Sequence, residues 1–235
     1  MPTAVMTING VDLRSYHARL VNMNTGGTNI KNTYHLGPKS SRPVITDQKT
    51  KARSMEIAIE IEGDDRNDLT HNISNLTSAL NNGLVDLYLP DGYYYASVLQ
   101  GVEDPEYYLP TRADVVYTLD AIRHGAYTQR GLTATGIETS ANIEIMGNLE
   151  TEVAYTITPT ADTPQITVAG ITVNNITANK VIVIDGIKKR VTEDGANKFA
   201  DCDLVSFPRL APGSNTITFS AAGCAISVGY YPIYA

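Results

Sequence analysis

The sequence predicts a mainly β protein with an N-terminal β-sandwich or barrel-like domain carrying one helix and a C-terminal β-sandwich or jelly roll. Three observations predict it. Met55, Ile57, Ile59 and Ile61 alternate with Glu56, Ala58, Glu60 and Glu62, the period of a strand with one buried and one wet face. Only one segment, Leu69, Ile73, Leu76 and Leu80, steps by four, three and four as a helix does. Beyond Gly136 short apolar runs recur between turn residues with no helical stripe, the pattern of a β-sandwich or jelly roll.

Each element has its own signals. Asp64 and Asp65 stand at the helix start, where carboxylates accept from free amides and meet the positive dipole end. Gly83 suits the left-handed residue beyond its last turn. A hairpin follows: Val85 to Leu89, the turn Pro90-Asp91-Gly92, then Tyr93 to Val102. Val115, Tyr117, Leu119 and Ala121 alternate with polar neighbours, and a slip of one residue would bury the charges. From Asn22 to Arg53 the chain is polar and broken by Gly26, Gly27, Gly37, Pro38 and Pro43. It reads as a long loop, either mobile or an arm that orders on a neighbouring subunit. Lys31, Lys39, Arg42, Lys49, Lys51 and Arg53 concentrate there, suited to an acidic partner surface.

The domain boundary is expected near Gly136, in the polar stretch 128–142, giving domains 1–136 and 137–235. Strands of the second domain are expected at 143–145, 153–157, 166–168, 171–176, 181–184, 188–192, 215–219 and 225–230. Turns are expected at Thr163-Pro164, Asp185-Gly186, Asp194-Gly195 and Pro212-Gly213. Val181 to Ile184 is apolar on both faces and should be a central strand. Ile217 and Phe219 should face inward, as should Cys224, Ile226, Val228 and Tyr230.

Composition narrows the function. The net charge is −7, with 12 basic against 15 acidic residues in 1–136 and 6 against 10 in 137–235, so neither half has a nucleic-acid binder's basic footprint. Cys202 and Cys224 are too few for a disulfide scaffold and read as thiols in a reducing compartment. No secretory leader and no apolar run near the ~20 residues of a membrane span is visible. The 17 aromatics are 14 Tyr and 3 Phe, with no Trp; Tyr couples apolar area to a hydroxyl, as interfaces favour.

No catalytic, cofactor-binding or metal residues are assigned, and no enzyme activity is expected. His17, His35, His71 and His124 are scattered without zinc-pair spacing, and neither a nucleophile elbow nor a phosphate loop is present. Glu103, Asp104 and Glu106 beside Tyr107 and Tyr108 form the one acidic cluster. A carboxylate pair or a calcium site is weighed there against a solvated loop, which is the expectation. Tyr93 and Tyr95 should share one strand face and Tyr94 the other, leaving an outward Tyr for core edge, subunit contact or sugar stacking. Lys188-Lys189-Arg190 reads as a solvated strand end. The glycosylation patterns at Asn72, Asn75 and Asn175 carry no weight without secretion.

Three segments and the order of elements between them point further. INGVDLRSY (8–16) is followed by strand, helix, hairpin, strand and GAYT; FPRLAPGSNTITF (207–219) and SVGYYPIY (227–234) close the chain. Together they resemble the distal tail protein (Dit) family of siphophages and prophages. The resemblance implies a virion building block whose 1–136 domains join into a homo-hexameric ring. It implies that 137–235 is a galectin-like jelly-roll sandwich projecting outward. Such a ring lies at the virion tail tip, between the major tail tube protein and the tail-associated hub protein, after synthesis in the host cytoplasm. Receptor-binding or accessory baseplate proteins attach to the second domain in some relatives. DNA passes through the ring unbound, which favours an acidic lumen, since cationic linings hold phosphates. The alternative is a carbohydrate-binding module for attachment to the host surface; a hydrolase using Glu103, Asp104 and Glu106 is third.

Overall fold

A computed structural model describes residues 5–132, 140–220 and 224–235, with the side chain of Gln48 excepted. The chain forms two compact units, Met1–His124 with Ala235, and Gly125–Tyr234. The expected boundary residue Gly136 lies outside the described residues.

The first unit is an antiparallel sheet with one helix. Its strands are β1 (Thr7–Ile8), β2 (Val11–Asp12), β3 (Ala18–Asn24), β6 (Arg53–Glu62), β7 (Val85–Tyr88), β8 (Tyr94–Val102), β9 (Glu106–Leu109) and β10 (Arg112–His124). The order is β2-β1-β7-β8-β10-β6-β3, with β9 pairing β10. β6 and β10 run in unbroken register from Arg112 opposite Glu62 to Ala121 opposite Arg53. Alternation therefore aligns across the pair: Met55, Ile57, Ile59 and Ile61 share one buried face with Val115, Tyr117, Leu119 and Ala121.

That face packs on α1 (Arg66–Leu80), which contributes Leu69, Leu76 and Leu80. Burying each such side chain stabilises by about 1.5–3 kcal/mol, which offsets the entropy of ordering the sheet. The helix start is closed reciprocally. Asp65 Oδ1 accepts from the Asp68 amide at 2.8 Å, and Asp68 Oδ2 accepts from the Asp64 amide at 2.9 Å. The last turn ends on Asn81, and Gly83 follows at φ +68°.

The stretch 22–53 departs from the expected loop. β3 occupies its start, and β4 (Asn29–His35) and β5 (Val44–Lys51) form a two-stranded sheet of their own. Sequence alternation there is blurred by a bulge between Thr33 and Tyr34, and the turn residues Gly37, Pro38 and Pro43 belong to the connection. At the hairpin base Gly26 is left-handed at φ +57°, and any Cβ would strike the Ser54 carbonyl.

The second unit is a β-sandwich. One layer is built from β11 (Thr128–Leu132), β13 (Thr151–Pro159), β16 (Ile182–Asp185), β17 (Arg190–Glu193), β18 (Ala196–Asn197), β20 (Arg209–Leu210) and β22 (Cys224–Tyr230). Their order is β11-β22-β13-β16-β17-β18, with β20 also on β13. The other comprises β12 (Ser140–Ile145) with β21 (Gly213–Thr218), and β14 (Thr163–Val168) with β15 (Ile171–Ile176) and β19 (Cys202–Asp203). A bridge from Val168 to Phe219 links its two parts. β16 lies inside its layer, with Ile182 and Ile184 buried on one face, while Val183 on the other face is only half-buried, so the strand is central in its sheet but not fully covered on both sides. Ile217, Phe219, Ile226, Val228 and Tyr230 are all buried, whereas Cys224 is half-buried.

One turn assignment is corrected. Thr163-Pro164 opens β14 instead of forming a turn. β14 is the outer strand of its three, and Pro164 takes no place in the paired register, where a missing N–H does no harm. The turn falls at Ala169-Gly170, with φ +50° and +78°. The strand expected from Lys188 starts at Arg190, because Lys189 is left-handed at φ +55°.

Candidate assembly surfaces

The β4–β5 hairpin has no core of its own. Opposite pairing puts Ile30, Tyr34 and Ile45 on one face, where they are 52%, 64% and 58% exposed. The other face carries Lys31 directly opposite Lys49, beside Lys51 and His35. Lys49 Nζ has Asp47 at 3.0 Å. Like charges set opposite each other are unfavourable in a lone hairpin. One face with exposed Ile30, Tyr34 and Ile45, and another where Lys31, Lys49 and Lys51 outnumber Asp47 beside exposed Val44, suit burial against a second, acidic surface.

On the first unit's sheet, the face away from α1 carries a charged network. Arg19 grips Glu60 with two bonds, Nε at 2.6 Å and Nη2 at 2.8 Å. The Tyr108 hydroxyl donates to the same carboxylate, and Arg112 lies 3.7 Å from it and 3.2 Å from Glu62. The Arg19 bonds hold Glu60 down at about 2, against the opposing effect of burial. Tyr108 is pushed up to about 12, by burial and then by its bond to Glu60. Asp114, paired opposite Glu60 in the sheet, has a buried Oδ1 with no partner, and burial and then Glu60 raise its pKa. Nothing in the local sequence announced this network, because its members come from β3, β6, β9 and β10.

The predicted candidates fall as follows. Glu103, Asp104 and Glu106 are all exposed, the last on β9. Among the described residues no three His, Cys, Asp or Glu side chains converge to hold a metal. Tyr95 is buried and its hydroxyl donates to Asp91 at 2.5 Å, while Tyr94 turns to the other face and stacks 5.6 Å from His124. His124 meets Asp86 at 3.0 Å, His71 is exposed on α1, His35 lies on the hairpin, and His17 is left-handed beyond the 3-10 turn Leu13–Tyr16. Lys189 pairs with Glu152 at 2.6 Å and Arg190 with Asp185 at 3.7 Å. Both cysteines are free and half-buried, and burial raises each thiol pKa. No helix among the described residues is long and apolar enough to cross a membrane.

Comparison with known proteins gives these surfaces a context. Residues 146–234 match the family described as siphovirus-type tail component, C-terminal domain. The crystal structure of SPP1 Dit, described as a paradigm of the hub adsorption apparatus in phages infecting Gram-positive bacteria, superposes with TM-score 0.75 at 13% identity. That match covers 98% of this chain and 99% of the other. A chain of the phage p2 baseplate, activated with strontium, gives TM-score 0.59 at 14% identity, covering 93% and 92%. The calcium-activated p2 baseplate gives 0.58 at 13%, covering 94% and 92%. No curated protein matches the sequence. A family match on the second unit and a fold shared over nearly the whole chain agree: residues 146–234 carry the siphovirus-type tail component C-terminal domain, and the chain has the fold of SPP1 Dit.

Proposed function

We propose that this protein forms a hexameric ring at the tail tip, joining the tail tube to the tail-associated hub protein and leaving a central passage for DNA. The observation that carries the proposal is the β4–β5 hairpin, which exposes Ile30, Tyr34 and Ile45 although the rest of its unit has a regular buried core. Each hairpin lies on the neighbouring copy. Its apolar face is buried there, and Lys31, Lys49 and Lys51 meet acidic surface on a chain whose net charge is −7. The first unit builds the ring, and the second, Gly125–Tyr234, projects outward as the platform for receptor-binding or accessory baseplate proteins. The chain is made in the host cytoplasm and is captured into the tail there. Acidic side chains outnumber basic ones on the lumen surface, so passing DNA is not held.

Sedimentation of the purified protein at increasing concentration tests the hairpin's part. Wild type is expected to pass from monomer to a closed oligomer. A Tyr34→Ser/Ile45→Ser variant is expected to stay monomeric with unchanged circular dichroism. A variant that assembles like wild type removes the hairpin from the interface.

A further inference from the structure

Glu103, Asp104 and Glu106 are exposed and, among the described residues, make no ion pair. They stand on an open sheet edge. β7 pairs with β8 only from Tyr94 to Ser97, and β9 pairs only with β10. From Val98 through Leu109 the edge facing away from β10 therefore has no strand partner among the described residues. An open edge is a template for a further strand, and proteins usually cover or charge it. A run of carboxylates repels a second copy of the same edge and admits a basic strand.

The β4–β5 hairpin carries such a strand. All seven residues of β4 are exposed, and β4 is paired on one edge only, to β5. It contains no acidic residue, and it sets Ile30 and Tyr34 on one face and Lys31 and His35 on the other. The open edge is sorted in the same way. Glu106 lies opposite Asp114 on the charged face of the sheet. Val102 and Tyr107 lie opposite Tyr117 and Ala113 on the core face, yet both are exposed. Side chains alternate between the two faces along a strand. A β4 strand laid with Ile30 and Tyr34 beside Val102 and Tyr107 therefore sets Lys31 beside Glu106.

In its own chain the hairpin does not meet this edge, since β4 and β5 pair only with each other. The hairpin leaves the β6–β10 ladder where Arg53 pairs with Ala121. β9 lies at the other end, where Arg112 pairs with Glu62. At the rise of a strand those ends are about 30 Å apart.

We propose that β9 is the acceptor for the hairpin of a second copy of this chain, whose β4 adds to the open edge with apolar faces together and Lys31 against Glu106. The inference rests on the reading that the hairpin lies on a neighbouring copy, and it names the surface that receives it. Donor and acceptor at opposite ends of one unit pass the contact on from copy to copy, as a ring requires.

Lys31→Glu, Glu106→Lys and the two combined are made in the full chain and followed by sedimentation over a range of concentrations. Each single reversal sets like charges together at the contact. It is expected to raise the concentration of half-assembly about 10-fold. The combined variant, and an equimolar mixture of the two single variants, are expected to assemble as wild type does, because every contact then joins opposite charges. Position 31 faces Lys49 and position 106 faces Asp114, so both single variants should unfold at the wild-type temperature or above. Assembly of either single variant at the wild-type concentration overturns the acceptor, as does a mixture that fails to recover. If Tyr34→Ser/Ile45→Ser still prevents assembly in that case, the hairpin keeps its part and its seat lies elsewhere on the neighbour. A wild type that never assembles overturns both readings.

Discussion

β6 and the β4–β5 hairpin are neighbours in sequence and opposite in fate. β6 buries Met55, Ile57, Ile59 and Ile61 against β10 and α1, whereas the hairpin leaves Ile30, Tyr34 and Ile45 in solvent. Both segments carry apolar residues on one strand face. The difference is that β6 has partners within the chain on both edges and on its inner face, and the hairpin strands pair only with each other. An isolated two-stranded hairpin is marginal in water. Apolar residues in a core stabilise the monomer; the same residues on a hairpin without a core add nothing to it.

Substitutions sharpen that contrast, and the largest losses fall in the cores. Phe219→Ala, in the second core at 3% exposure, should cost about 3–5 kcal/mol in chemical unfolding. Ile59→Ala, wholly buried on β6, should cost about 2–5 kcal/mol. A near-neutral result at either site would show that the inward face has been assigned to the wrong residues.

Acid titration probes the other face of β6. Glu60 has a folded pKa of about 2, below its ordinary 4.5. Its contribution is present above about 4.5 and is lost as pH falls toward 2. With Arg19 largely exposed, screening limits that contribution to about 1 kcal/mol. Glu60→Gln should flatten the acid limb of the stability curve in that window. Asp114 acts in the opposite sense. Its folded pKa is raised, so its charge costs stability at neutral pH, and the cost is relieved as pH falls through that value. Asp114→Asn should therefore raise the unfolding midpoint at pH 7 and change it little at pH 3. A lower midpoint at pH 7 would mean that the Asp114 carboxylate has a favourable partner.

The smallest stability effect belongs to the hairpin. Ile45→Ser should change monomer stability by no more than about 0.5 kcal/mol, as for exposed sites without special contacts. It should nevertheless abolish self-association measured by light scattering. A loss comparable to Ile59→Ala would show that Ile45 is part of a core.

What the sequence discloses follows from the range of the interactions involved. Strands and the helix with one buried face were legible because their periodicity is local: β6, β10, α1 and the β7–β8 turn lie where alternation, stripe and Gly92 put them. The hairpin was hidden, since neither of its faces has a core within the chain and a bulge at Thr33/Tyr34 breaks the alternation. Pro164 misled as turn punctuation, because its tolerance within β14 depends on a position the ladder leaves unpaired, which only the fold shows. The Glu60 network was invisible for the same reason. Arg19, Glu60, Tyr108 and Arg112 are far apart in the chain. The closing segments 207–219 and 227–234, which carry the resemblance, lie within residues 146–234, the part that matches the siphovirus-type tail component C-terminal domain.

Negative-stain electron microscopy of the concentrated protein tests the central claim most directly. The account predicts six-fold rings with a central hole in wild type and isolated particles in the Tyr34→Ser/Ile45→Ser variant. Isolated wild-type particles at every concentration, or rings that persist in the variant, would contradict an assembly held together by this hairpin.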